Sequence, residues 1–350
     1  MWRALGSPAD SSESYISLRK RESDEEDAGA GMSIDNRGKL LEEVRRILAD
    51  AGFSVSDPIS LKSISFDLVA RRDDALLVLK VLQNIDAFNK EDADQMMVLA
   101  EALEGKTAVV GLRSSSKKLD EGVIYSRFGV PILSLDTFEE FLNEGVPPIV
   151  FAAPGGLYVK INSDLLKELR AQRNISLGTL AEIAGVSRKA IQMYEDGMGA
   201  IVEVAIKLEE FLNEPIVLPL NPFEYMREKE QLFERMEDTD KLHNEVFMML
   251  KTMGYSVQPT ARCPFEAVTT DEKMLILTGV ERYGPMLEKK ADAVASISRI
   301  VERRAVIITD KDARRKSVHK MPLMSRRELA GAEDRKKVLD MIRERSKEGS

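Results

Sequence analysis

Two distant stretches of this chain repeat one another. Leu40–Val55 and Leu242–Val257 place Leu, Glu, Val, Leu, Gly, Ser and Val at matching positions, from Leu40/Leu242 and Glu43/Glu245 through Gly52/Gly254 to Val55/Val257. The likeness continues in step. Phe66-Asp67-Leu68-Val69 meets Phe265-Glu266-Ala267-Val268, Ala75–Val81 meets Met274–Val280, Thr107–Gly111 meets Ala305–Thr309, and Pro131 meets Pro322. A helix followed by glycine and an aromatic residue is common, but collinear matches over several elements point to internal duplication. Such a chain is expected to fold as two related domains with the intervening residues inserted between them, and 350 residues leave room for this.

Each repeated unit has a mixed pattern. Leu40, Leu41, Val44, Ile47 and Leu48 recur at helical spacing before the stop at Gly52, and Phe53–Val55 reads as a short strand. Ile64–Ala70 and Ala75–Leu82 read as strands around the turn Arg71–Asp74. A helix over Ala93–Leu103, a buried strand over Thr107–Leu112, a helical crossover, a strand over Val130–Leu133 and a helix over Thr137–Leu142 complete the unit. The order predicts an α/β domain over 37–145, a mixed sheet with helices on its faces, and a second over 238–335. Ile149–Ala153 and Leu157–Ile161 flank Pro154-Gly155-Gly156 as a hairpin connector over 146–162. Pro215 and Pro219 mark a linker over 215–237, and 336–350 reads as a C-terminal helix or tail. Residues 1–36 are expected to form a disordered tail, since Ser7–Gly31 has little to bury; Met32 is an alternative start.

Residues 163–214 have helical rather than strand character. Ser163 is placed to cap a helix over Leu165–Arg173, Ser176 one over Leu177–Ala184, and Ser187 one over Arg188–Glu195, with a fourth over Ile201–Leu212. Gly185-Val186 makes the tight turn between the second and third, Ala181 lets them approach closely, and Leu180, Ile183, Val186 and Ile191 face inward. With Leu169-Arg170, Ser176, Leu180-Ala181, Ala184-Gly185-Val186-Ser187, Ile191 and Glu195-Asp196-Gly197, this segment resembles the Cro/CI-like helix-turn-helix family, in a four- to five-helix domain. The resemblance implies that Arg170 and Glu195 form a structural pair and that Ser187, Arg188, Lys189 and Gln192 face DNA bases. Arginine can bond guanine and glutamine can bond adenine in the major groove. Thr179 and Ser187, near helix N-termini, are expected to bond phosphate. The family often has glutamine where this chain has Leu177.

Charge sharpens this reading. A net charge of -8 argues against non-specific coating of nucleic acid. The segment itself carries six basic residues (Lys167, Arg170, Arg173, Arg188, Lys189 and Lys207) amid more numerous acidic ones. Between Arg299 and Arg327 the balance reverses, and Arg314, Arg315 and Lys316 are expected to add a phosphate grip. One cysteine, Cys263, and two histidines, His243 and His319, make a zinc site a poor fit. No apolar run is long enough to cross a bilayer, and no signal-peptide core precedes the first domain.

The first α/β unit resembles the restriction-endonuclease-like PD-(D/E)xK fold. That resemblance implies Asp67, the triplet Val78-Leu79-Lys80 and a helix acid, Glu43, around a divalent metal. The acid of the triplet is here Val78, which has no oxygen to offer. In the second unit Glu266 stands for Asp67, while Leu277 and Gly279 stand for Val78 and Lys80. The whole arrangement, two related endonuclease-like domains flanking a helix-turn-helix, is similar to a family of archaeal helix-turn-helix transcriptional regulators. The expectation is therefore a cytoplasmic, sequence-specific regulator, a homodimer on double-stranded DNA, without catalysis, metal or cofactor and without a membrane partner. A Mg-dependent nuclease or restriction-associated protein, and an adaptor to the transcription machinery, are the alternatives.

Overall fold

The computed structural model describes residues 37–59, 61, 63–224, 240–271, 274–313 and 315–347. The tail expected over 1–36 and residues 225–237 of the expected linker lie outside them. The chain forms two compact units: one within Met1–Ile47, Leu82–Ala87 and Val109–Arg227, the other within Leu48–Val81, Phe88–Ala108 and Glu228–Ser350. Chain order runs α1 (Arg37–Asp50), β1 (Ser54–Val55), β2 (Leu68–Arg72), β3 (Ala75–Asn84), α2 (Lys90–Ala102), β4 (Lys106–Ser114), β5 (Lys117–Lys118), β6 (Val123–Arg127), β7 (Val130–Ser134) and α3 (Leu135–Glu139). It continues through β8 (Val150–Ala153), β9 (Gly156–Ile161), α4 (Ser163–Gln172), α5 (Leu177–Ala184), α6 (Arg188–Glu195), β10 (Ala200–Ile201), α7 (Val202–Leu212) and β11 (Val217–Leu218). The last elements are α8 (Lys241–Thr252), β12 (Ser256–Pro259), β13 (Ala267–Thr270), β14 (Leu275–Glu281), α9 (Met286–Val301), β15 (Arg304–Thr309), β16 (Ser317–Val318), β17 (Met321–Ser325), α10 (Arg326–Ala330) and α11 (Arg335–Lys347).

In the first unit β4 and β7 run parallel, with Val109 opposite Ile132, and β6 returns antiparallel to β7. The expected helical crossover between β4 and β7 is absent: Ser115–Gly129 instead makes the short strands β5 and β6. The cause is local. Val123-Ile124-Tyr125 favours extended backbone, and left-handed Gly122 and Gly129 break any helix on either side. Strand β6 then pairs with β8, β8 with β9, and β9 accepts both β10 and β11. The hairpin and the helices α4–α7 therefore share one core, in which Val123, Val150, Val159 and Ile161 pack with Leu166, Leu180, Ile191, Leu208 and Leu212.

In the second unit β1–β2–β3 is an antiparallel meander, and β12–β13–β14 is another. Strands β14, β15 and β17 then run parallel, with β16 antiparallel at the end. The pairing senses seen early in the chain thus recur late in it: meander, parallel pair, antiparallel closing strand. The two regions exchange contacts in a reciprocal way. Helix α9 packs on β2, where Arg71 Nη1 donates to the Val301 carbonyl at 2.8 Å and the Asp57 amide donates to Ser296 Oγ at 2.8 Å. Helix α2 answers: the Ala261 amide donates to Gln95 Oε1 at 3.0 Å. Helix α11 covers the sheet, with Val338 and Ile342 in the same core as Leu242, Val246 and Met324.

Glu328 ties this end together. Ser325 and Glu328 form a capping box, and the Glu328 carboxylate also receives Arg345 Nη2 at 2.7 Å and Lys316 Nζ at 2.5 Å. Burial pushes the carboxyl up, but Arg345, Lys316 and the Ser325 amide together outweigh it and hold the group at about 2, below its ordinary 4.5. A depressed carboxyl contributes stability that is present above its unfolded value and is lost as pH falls through the folded one. Urea denaturation of wild type should therefore weaken between about pH 4.5 and 2 more steeply than that of Glu328→Gln. Parallel curves would remove Glu328 from the acid response.

Candidate nucleic-acid interface

The helix-turn-helix is built from local signals. Ser176 Oγ accepts the Thr179 amide at 3.0 Å at the start of α5, and Ser187 Oγ accepts the Ala190 amide at 3.1 Å at the start of α6. Each such cap contributes about 1 kcal/mol. Gly185 ends α5 at φ 71°, and the Val186 amide turns back to the Ala181 carbonyl at 2.9 Å, so three residues suffice to redirect the chain. The first helix departs from expectation. Asn162 caps α4 by accepting the Leu165 amide at 3.2 Å, while Ser163 Oγ donates to the Tyr194 carbonyl at 2.6 Å. Ser163 thereby fastens the end of α6 rather than the start of α4.

Packing locks the inner face. Leu180 and Ile191 are fully buried, Ala181 nearly so, and Val186 and Leu177 pack against the same core, with Ile183 half-buried. Leu177, in the place of the family's usual glutamine, is thus a packing residue. Arg170 grips Glu195 through two bonds, Nε to Oε1 at 2.5 Å and Nη2 to Oε2 at 3.1 Å. The Glu195 carboxylate beside it raises the Arg170 guanidinium above its usual range.

The outer face is different. Thr179, Ser187, Arg188, Lys189 and Gln192 are all exposed. The hydroxyl of Thr179 is already shared with Ser176 Oγ at 2.9 Å, and that of Ser187 is the cap. Among the described residues, no hydrogen bond or ion pair engages the side chains of Arg188, Lys189 or Gln192. Positions 188 and 192 are one helical turn apart and share a face. The Arg188 guanidinium lies on Gly178, where a Cβ would stand 3.0 Å from its Nε. Met193 is also exposed, at 40%. It was legible in the sequence, since Ile191 and Tyr194 take the inner face of α6 and leave 193 outward. Of the other basic residues of the segment, Arg170 and Arg173 are bound to Glu195 and Glu214, while Lys167 and Lys207 are exposed.

The basic run after Arg299 is partly spent within the fold. Lys316 binds Glu328, Arg326 binds Glu245, and Arg299 lies 3.6 Å from Asp57. Arg314 lies outside the described residues, and Arg315 is exposed. The expected phosphate grip is therefore corrected at Lys316, whose ammonium is held by a carboxylate.

The endonuclease-like positions are also visible. Val78 is fully buried in β3, and Asp67 Oδ2 accepts the Val81 amide at 2.7 Å. Lys80 Nζ donates to the Ile64 carbonyl at 3.0 Å and lies 3.9 Å from Asp92 Oδ2. Glu43 pairs with Arg46 at 2.7 Å. Among the described residues no group of three or more His, Cys, Asp or Glu side chains is placed to hold a metal ion. A divalent ion needs several oxygens; here a valine takes one position, and one oxygen of Asp67 is occupied by the Val81 amide. The residues present do not fit the metal that the fold implies.

Two family models match the chain: a PD-(D/E)XK superfamily domain over residues 37–148 and a helix-turn-helix over 166–218. A protein of Halorubrum lacusprofundi named "Putative HTH-type transcriptional regulatory protein" is 40% identical over 317 residues, covering 89% of this chain and 98% of its own length. Namesakes in Methanosarcina acetivorans, 37% identical over 87% of this chain and 96% of their own, and in Halobacterium salinarum, 38% identical over 89% and 98%, extend the group. This chain belongs to that archaeal HTH-type family. No solved structure matches it. The family relationship spans almost the whole chain, so the α/β regions belong to these archaeal HTH-type proteins as much as the helix-turn-helix does. No helix among the described residues is long and apolar enough to cross a membrane.

In this archaeal HTH-type protein Glu195 is only 6% exposed, so Arg170→Ala strands a buried carboxylate. The local opening free energy of α6, read by amide hydrogen exchange, should fall by about 3 kcal/mol. Arg170→Met combined with Glu195→Leu should cost less than Arg170→Ala alone. Protection unchanged by the single substitution would show that the pair does not hold the helix.

Proposed function

We propose that this chain is a sequence-specific DNA-binding transcriptional regulator, acting in the cytoplasm through a Cro/CI-type helix-turn-helix. The carrying observation is the contrast on α6. Its inner face is buried and clamped through Glu195, while Arg188, Lys189 and Gln192 are exposed and, among the described residues, engaged by no side-chain hydrogen bond or ion pair. An arginine and a glutamine one turn apart at the start of a presented helix suit guanine and adenine edges in the major groove. Met193 adds an apolar group suited to a thymine methyl. Thr179 and Ser187 reach phosphate with hydroxyls already engaged in the fold, Thr179 with Ser176 Oγ and Ser187 as the cap of α6.

One helix-turn-helix per chain supports a homodimer on a palindromic double-stranded site, because a single module buries little surface. We further read the α/β regions as two related endonuclease-like domains that flank the helix-turn-helix and lack catalysis. Recurrent strand pairing supports this, as does one detail of bonding: Asp67 accepts the Val81 amide, and Glu266 accepts the Val280 amide at 2.6 Å. An adaptor to the transcription machinery would need no such exposed base-reading set.

Selection of bound fragments from archaeal genomic DNA, repeated with Arg188→Ala and Gln192→Ala, tests the proposal. Each substitution should cost about 1–3 kcal/mol of discrimination at one base position per half-site. Recovery of the same site with the same affinity by both variants would refute the base contacts; absence of any footprint for wild type would favour the adaptor.

A further inference from the structure

Glu266 and Glu281 approach one another at the end of β14, and the group between them is a lysine. Lys290, on α9, is 7% exposed, and its three N–H donors are all used. They reach Glu266 Oε1 at 2.6 Å, the Val280 carbonyl at 2.8 Å and Glu281 Oε2 at 3.3 Å. Two carboxylates and a backbone carbonyl converging on one point are the oxygen ligands that a hard divalent cation takes. The other oxygen of Glu266 is held by the Val280 amide, so the carboxylate is fixed at the same place on its strand as Asp67.

The earlier region carries the same exchange by another route. Asp92, at the start of α2, is 7% exposed. It receives Arg262 Nη1 at 2.9 Å and has Lys80 Nζ at 3.9 Å. Arg262 also binds Glu91 at 2.7 Å, and its own carbonyl accepts the Ser65 amide at 2.9 Å. Arg262 comes from the later region, in the loop between β12 and β13, and holds a left-handed backbone, φ 49°.

We propose that side-chain cations have replaced the divalent metal of the endonuclease-like fold: Lys290 between Glu266 and Glu281, and Arg262 at Asp92, beside the Lys80 that the fold's own triplet supplies. The second replacement joins the two α/β regions, because the cation that neutralises Asp92 is supplied from the other region. The chain is then metal-independent by construction. An ammonium in a fixed set of oxygens does the structural work of an ion without a vacant position at which water could be activated. Burial holds the Glu266 carboxyl above its ordinary value, and the Lys290 ammonium, next in weight, opposes that rise without reversing it.

The inference rests on reading both regions as endonuclease-like, and its test is independent of DNA binding. Thermal unfolding of the full-length chain is followed with and without Mn²⁺, after EDTA treatment. Wild type should show no Mn²⁺-dependent shift. Lys290→Met, which removes the ammonium and leaves its oxygens, should unfold at lower temperature in EDTA and gain at least about 3 °C on saturation with Mn²⁺. Lys290→Arg should stay folded and insensitive to Mn²⁺. A folded Lys290→Met chain with no Mn²⁺ response would overturn the replacement, while the repeated strand pairing behind the endonuclease-like reading would stand. Saturable Mn²⁺ binding by wild type, abolished in Asp67→Asn or Glu266→Gln, would overturn it even if Lys290→Met were recovered unfolded.

Discussion

The ion pair between Arg170 and Glu195 sets the geometry on which the candidate interface depends. A helix of eight residues such as α6 has little stability of its own. Its direction must come from what holds its two ends. The Ser187 cap and the Gly185 turn hold the first end; Arg170, together with Ser163 on the Tyr194 carbonyl, holds the last. The pair is nearly removed from water on the glutamate side, so its rupture leaves a buried charge, which is far more costly than losing an exposed bridge. With both ends fastened, Arg188 and Gln192 are presented by a rigid element rather than by a loop.

The hairpin before α4 extends this logic. Strand β9 serves β8, β10 and β11, so the helices are seated on a sheet rather than tethered by a connector. The same apolar core runs from Val123 through Val159 to Leu208. The helices α4–α7 and the hairpin are thus one packed body rather than a module on a flexible tether.

The α/β regions share one feature of bonding. The amide-to-carboxylate bonds at Asp67 and Glu266 belong to strand geometry and persist. What differs is the cation. A buried carboxylate needs a positive partner, and any cation of suitable reach satisfies that need. Lysine and arginine do so without an exchangeable ligand position.

Much of this was legible along the chain. The apolar spacing that defines α1, the caps Ser176 and Ser187, the Gly185 turn and the outward stripe of α6 all follow from periodicity and local chemistry, because those signals act over one or two helical turns. The region between β4 and β7 is extended where a helical crossover is expected between parallel strands, because the local strand preference of Val123-Ile124-Tyr125 and the stops at Gly122 and Gly129 prevail there. Asn162 displaced Ser163 as a cap because the hydroxyl had a better partner in Tyr194, distant in sequence. Lys316, read as a free cation, is bound to Glu328 for the same reason. The sequence by itself determined the helix-turn-helix and which residues of α6 face outward, since a residue's place on a helix is set by its position in the register. The tertiary structure alone decided which charges are spent. Lys290, Arg262 and Lys316 look alike in a sequence, and only the fold brings each to the carboxylate that neutralises it.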